Sequence, residues 1–218
     1  MAIRASASPR AETLGDFTAA RQASFATSTA PVVLAHGGAP DQAFVQVFWP
    51  TRDDSDPQAV STLALLSEVM GLQLIDEVRE KLGATYSPQA ISDLSDTYTG
   101  YGTMMAAIVA APKDADAIFA AVEAIAKELR DRPIDADTLE RARRPLLERT
   151  ALNRRENGWW LGVLGESQLR AERLDRYRTI EARLRAVTPA MLQAAAKQYL
   201  VPEKALKVRI VPRPAVEA

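Results

Sequence analysis

The feature that most constrains this chain is a long, singly striped apolar segment that begins at Ser55-Asp56-Pro57 and stops at Gly83. Val60, Leu63, Leu66, Met70, Leu74, Val78 and Leu82 recur at steps of three and four, the spacing of one face of an α-helix. Asp56 can accept amide hydrogens as N-cap, and proline is preorganised at the first helical position. Arg79 and Lys81 fall in the last turn, where cations complement the negative end of the helix dipole, and Gly83 suits the left-handed residue that ends a helix. So long a helix with a single stripe packs across a sheet, and hydrophobic positions at this spacing read as core.

Beyond the glycine, Ala84 to Leu94 reads as a strand with Tyr86 near its start, forming an antiparallel hairpin with Tyr98 to Ala111. Glycines at 100 and 102 permit a close approach or a bulge there. A guanidinium at Arg79 and a phenol at Tyr86 can then meet at the helix-to-strand junction. Two such donors aimed at one point can hold a peptide carbonyl or stabilise an oxyanion. The ordinary alternative is that Arg79 caps the dipole or pairs with Asp76 or Glu80 while Tyr86 is one more strand aromatic. Spacing alone favours that alternative.

The remaining elements follow the same logic. Pro31 to Ala35 is a short strand ending in the turn His36-Gly37-Gly38, and Ala43 to Trp49 is a central, two-sided strand. Ile118, Val122, Ile125 and Leu129 mark a helix. Another helix, capped by Asp135 or Asp137, runs towards Asn157, and Pro145 should kink or divide it. Between Arg141 and Arg155 lie six arginines and one glutamate, read as a solvated face. Trp159 and Trp160 belong to a helix whose aromatic end packs under a neighbour, with one ring partly exposed. Thr188-Pro189 starts a last helix, and Leu206 to Val211 closes the chain as a strand. The expected fold class is α+β: a mainly antiparallel or mixed sheet with helices packed on one face. Residues 1–28 read as a flexible lead-in or linker, and 29–214 as a single domain.

The run Arg79-Glu80-Lys81-Leu82-Gly83-Ala84-Thr85-Tyr86 resembles the R-E-K-x-G-x-x-Y signature of the second homologous unit in insulinase/pitrilysin-like zinc metallopeptidases, the inverzincins. The resemblance extends from about Val32 to Pro212. In that family one unit carries the zinc motif H-x-x-E-H, and the second contributes an arginine and a tyrosine to substrate binding and transition-state stabilisation. Those two residues fall on Arg79 and Tyr86. The resemblance implies that this chain is the non-zinc unit of a peptidase cleaving peptides in a closed chamber. Its partners would be a zinc-bearing homologous unit and the peptide substrate. It implies equally a different outcome, a catalytically inert scaffold or partner subunit, although a scaffold has no need of the pair.

The residue inventory agrees with a non-zinc unit. The chain has one histidine and no cysteine, so neither H-x-x-E-H nor a thiolate zinc site can be assembled and no cofactor is expected in this chain. His36, beside two glycines, is a turn residue that could also help to bind substrate as a neutral hydrogen-bonding group. No G-x-S-x-G elbow, dinucleotide fingerprint or Walker loop is present. A formal net charge of -1 gives no electrostatic case for nucleic acid or an anionic membrane. No apolar run is expected to reach bilayer length. The resemblance favours a periplasmic location, with the cytoplasm as the alternative.

Overall fold

Alternation along one strand sets the layering. In the computed structural model, which describes residues 15–28, 30–82 and 88–213 without the side chains of 78–82, β2 (Ala43–Pro50) buries every second residue. Ala43, Val45, Val47 and Trp49 face the helices, and Phe44, Gln46, Phe48 and Pro50 face the other way. Around it lie β1 (Val32–His36), β3 (Gln89–Leu94), β4 (Gly102–Ala110) and β5 (Leu206–Pro212), in the order β1-β5-β2-β4-β3. Only β1 and β5 pair in parallel among these neighbours, so the sheet is mixed but mostly antiparallel, with β2 in the middle as its composition requires.

The helices among the described residues are α1 (Pro57–Leu82), α2 (Ala115–Asp131), α3 (Ala136–Asn153), α4 (Asn157–Leu169), α5 (Glu172–Ala186) and α6 (Pro189–Tyr199). The expected start of α1 is found: Asp56 Oδ1 accepts from the amides of Gln58 (2.9 Å) and Ala59 (3.2 Å). Asp135 caps α3 through the Thr138 amide at 2.7 Å, and Thr188 caps α6 through that of Met191 at 3.2 Å. Leu63, Leu65, Leu66, Val69, Met70 and Leu74 of α1 are wholly buried and join the strand residues Val47, Met104 and Ile108 and the α2 residues Ile118 and Val122 in one core.

Three expectations need correcting. Pro57–Glu77 is long and apolar enough by composition to cross a membrane, contrary to the expectation that no run reaches that length; those side chains supply the core instead. Pro145 does not divide α3, which continues to Asn153, because a proline removes a single amide donor and the turns on either side remain bonded. The arginine run is not one solvated face. Arg144 lies exposed beside Glu148, but Arg143 is buried, donating to the carbonyls of Leu184 (3.0 Å) and Val187 (2.6 Å) at the end of α5. Those carbonyls have no intrahelical partner, and a guanidinium satisfies both.

The hairpin forms in the expected antiparallel register, Gln89 opposite Ala107 and Leu94 opposite Gly102. It is shorter than anticipated, since Tyr98 to Tyr101 belong to the turn, where Gly100 takes φ 69°.

β5 carries an inversion that matters for function. Its basic residues face the helices: Lys207 and Arg209 lie over the Phe119 ring of α2, 5.8 and 5.4 Å from its centroid, and pair with Glu123 and Asp116. Leu206, Val208 and Ile210 therefore face the side of the sheet on which none of the described helices packs, in register with Phe48, Gln46 and Phe44. Leu34 of β1, Val109 of β4 and Ile91 of β3 extend that apolar face, at 50%, 41% and 44% exposure.

Candidate functional site

Sequence reasoning directs attention to the junction of α1 and β3. Arg79 lies near the end of α1, Pro57–Leu82, and Gly83, expected to end the helix, lies outside the described residues. The side chain of Arg79, and Tyr86 altogether, lie outside the described residues. The frame around them is rigid by construction. α1 runs against β3, where a Cβ added at Gly71 would lie 4.0 Å from the Ala90 amide nitrogen, and β3 is an edge strand whose partner among the described residues is β4. The chain thus leaves the end of a core helix and re-enters the sheet at an edge, with the signature run between.

His36 is placed elsewhere. It ends β1, at the opposite edge of the sheet and about 19 Å from β3 by four strand spacings. The Gly38 amide donates to its Nδ1 at 2.9 Å, so the proton sits on Nε2, which donates to the Gln42 carbonyl at 2.8 Å. Both ring nitrogens thus hold the β1–β2 loop closed, and the Arg213 amide donates to its carbonyl at 2.8 Å.

The end of the sheet where the β3–β4 turn meets α5 holds chemistry that no sequence motif marks. Asp54, in the loop before α1, pairs with Arg173 and, at 3.2 Å, with Arg176, all three side chains being at most 17% exposed. Arg176 also donates to the Asp54 carbonyl at 2.6 Å. The signal was present as Arg173 and Arg176 at helical spacing, which puts two guanidinia on one face of α5. Beside them Asp53 accepts from the Gly100 amide at 2.6 Å and from the Ser55 amide and hydroxyl. The Gly100 amide, then the Ser55 hydroxyl, holds its carboxyl below the usual carboxylate range.

On the open side of the same end lies a cleft of about 750 Å³ between residues 25–26 and the hairpin. Its walls are largely Phe25, Phe48, Leu94, Tyr98, Tyr101 and Leu206, and its charged groups are Asp93 and Asp96. The Thr99 amide donates to the Arg21 carbonyl at 3.0 Å, tying the lead-in to the hairpin turn.

At α4 the outward face presents Gly158, Leu161, Gly162, Gly165 and Leu169, with Leu161 and Leu169 72% and 88% exposed. Trp159 and Trp160 are half-buried beneath it, edge to face with centroids 4.8 Å apart, and Trp159 meets Tyr177 at 5.4 Å.

The residues present do not fit a catalytic zinc. The sole histidine spends both ring nitrogens on its own loop, and among the described residues no three His, Asp or Glu side chains converge as a metal site. No catalytic step is therefore derived through a metal held by this chain.

Comparison with known proteins gives the fold a family. Among curated proteins, the chloroplastic stromal processing peptidase of Pisum sativum is 30% identical over 107 residues, covering 49% of this chain and 8% of that protein. The chain thus matches only a small part of the relative's length. Among solved structures, the inactive peptidase domain of a putative zinc protease from Bordetella parapertussis superposes with a TM-score of 0.67 at 20% identity, over 84% of this chain and 99% of that one. The periplasmic protease PqqL from Escherichia coli gives 0.68 at 17% identity, over 86% of this chain and 21% of that one. At such identities the likeness speaks for the fold. The family described as peptidase M16 inactive domain matches residues 12–146, more than half of the sequence, and it is to this family that the chain belongs.

Proposed function

We propose that this inactive-type M16 domain is the substrate-binding, non-zinc unit of a zinc metallopeptidase, and that it supplies Arg79 and Tyr86 to a zinc site carried by a homologous unit. The observation that carries this reading is the position of the signature run, between the last turn of a helix locked in the core and the start of an edge strand. The elements on either side of the run are packed in the core and paired in the sheet, and electrostatic stabilisation of a developing oxyanion requires donors anchored in that way.

The need for a second unit is supported by the open sheet face. Apolar residues of all five strands lie on the side that none of the described helices covers, and β5 turns its charges inward to keep them there. So large an apolar surface favours association, and the charge-free outward face of α4 adds to it. With the zinc unit in place, the two would enclose the space in which a peptide is cleaved.

The test is reconstitution. The chain is mixed with an H-x-x-E-H-bearing unit from the same source, and hydrolysis of a quenched fluorescent peptide is followed. Activity of the mixture well above that of either component supports the division of labour. A zinc unit equally active without this chain would leave the chain a scaffold.

A further inference from the structure

We propose that the cleft between Phe25 and the β3–β4 hairpin is a subsite for a basic side chain of the bound polypeptide, with Asp93 and Asp96 as its charge-recognising groups. This rests on the reading that the chain is the substrate-binding unit, and it names the side-chain chemistry that one end of its sheet would select.

The cleft differs from the rest of that face in its composition. Elsewhere the strands present mainly apolar side chains on the open side, Phe44 among them, and uncharged polar ones; here aromatic and aliphatic walls surround two carboxylates, and no lining residue is basic. Asp93 stands on the open side of β3, opposite Thr103, and makes no hydrogen bond or ion pair among the described residues. Asp96 accepts from the Thr97 hydroxyl at 2.7 Å, which holds its carboxyl below the usual range and so ionised at neutral pH. Arg170 lies 3.9 Å from it, at the limit of an ion pair, and Arg173 also favours its ionised form, so Asp93 is the less compensated of the two carboxylates. Tyr98 and Tyr101 stand edge to face with centroids 6.2 Å apart, and Tyr98 is 44% exposed.

Such a site suits a side chain that is apolar along its stem and cationic at its tip. Lysine and arginine lay their methylenes against aromatic surface and carry the charge to the rim. A carboxylate side chain would meet like charge, and a purely aliphatic one would leave Asp93 without a partner. The volume suits one or two residues of an extended peptide, and the cleft sits at the far end of β3 from the signature run, so the same peptide can reach both.

The test uses the full chain and a fluorescein-labelled heptapeptide of serine and alanine with one central arginine, with citrulline and norleucine versions as controls. Fluorescence anisotropy at low salt should give a dissociation constant about fivefold lower for arginine than for either control, the size of effect a partly exposed charge pair supports. Asp93→Asn should remove most of that preference, and Tyr98→Leu should weaken the arginine peptide more than the citrulline one. The preference should persist in Arg79→Lys and Tyr86→Phe chains, which separates this site from the proposed catalytic pair, and after the zinc-bearing unit is added. Equal binding of all three peptides, no binding of any, a preference unchanged in Asp93→Asn, or loss of peptide when the zinc unit is added would each overturn the assignment.

Discussion

A Cβ placed on Gly102 would lie 2.1 Å from the carbonyl oxygen of Arg52 and 2.7 Å from the Thr51 hydroxyl, where the Thr51 amide donates to the Gly102 carbonyl at 2.8 Å. The end of β2 and the start of β4 touch backbone to backbone, and the obstructing oxygen belongs to the chain itself, so no rotamer change relieves it. Gly102→Ala should therefore destabilise the domain by about 1–3 kcal/mol or more. Gly162→Ala, in the middle of α4 where nothing lies within 4 Å, should stabilise it by roughly 0.5–1 kcal/mol. Urea midpoints of the two variants should move in opposite directions; a shared direction would contradict the packing described.

Asp54 is the single carboxylate between two largely buried guanidinia. Asp54→Ala leaves Arg173 and Arg176 without it and should cost roughly 3–5 kcal/mol, the usual penalty for orphaning a buried charge. The triple change Asp54→Ala, Arg173→Leu, Arg176→Leu should recover part of that loss in thermal unfolding. A loss below about 1 kcal/mol in Asp54→Ala would place these charges in contact with solvent.

Much of the architecture was legible because the signals were local. Asp56-Pro57, Asp135 and Thr188-Pro189 cap the helices they were expected to cap, and of the expected stripe Leu63, Leu66, Met70 and Leu74 lie in the core, while Val60 is only part-buried. Other features depend on residues distant in sequence. That Arg143 caps α5 follows from carbonyls some forty positions away, and that β5 faces its apolar residues outward follows from Phe119 and two acids on α2. Period-two alternation says that a strand has two faces; it does not say which one the helices take. The candidate pair of Arg79 and Tyr86 was legible only through the signature, since neither residue type is unusual at a helix end.

The acid limb of stability should be steep. Asp53 has its carboxyl lowered first by the Gly100 amide, and Asp96 first by the Thr97 hydroxyl. A carboxyl lower in the folded chain than its unfolded value of about 3.9 contributes stability that is fully present above that value and is lost as pH falls through the folded one. Unfolding midpoints should be nearly level from about pH 7 to 5 and drop below about pH 4. Asp53→Asn should make that drop shallower. A midpoint that rises on acidification would contradict the hydrogen-bond assignments.

Association should depend on the open sheet face. Leu34→Lys and Ile91→Lys put charge on its two edges without touching the core, and Leu161→Glu does so on α4. Sedimentation with the zinc-bearing unit should show the affinity of at least one of these faces falling by about tenfold, some 1.4 kcal/mol, while circular dichroism stays unchanged. Unaltered affinity in all three would move the interface elsewhere.

In an assembly of this chain with its zinc-bearing unit, Tyr86→Phe removes one donor with little change in packing, and kcat should fall on the order of a hundredfold with KM altered far less. Arg79→Lys should also lower kcat, because an ammonium does not reproduce a planar fork, and the double variant should lose less than the product of the two single losses. Near-native kcat in both single variants would contradict the proposal, returning Arg79 to dipole capping and Tyr86 to an ordinary aromatic.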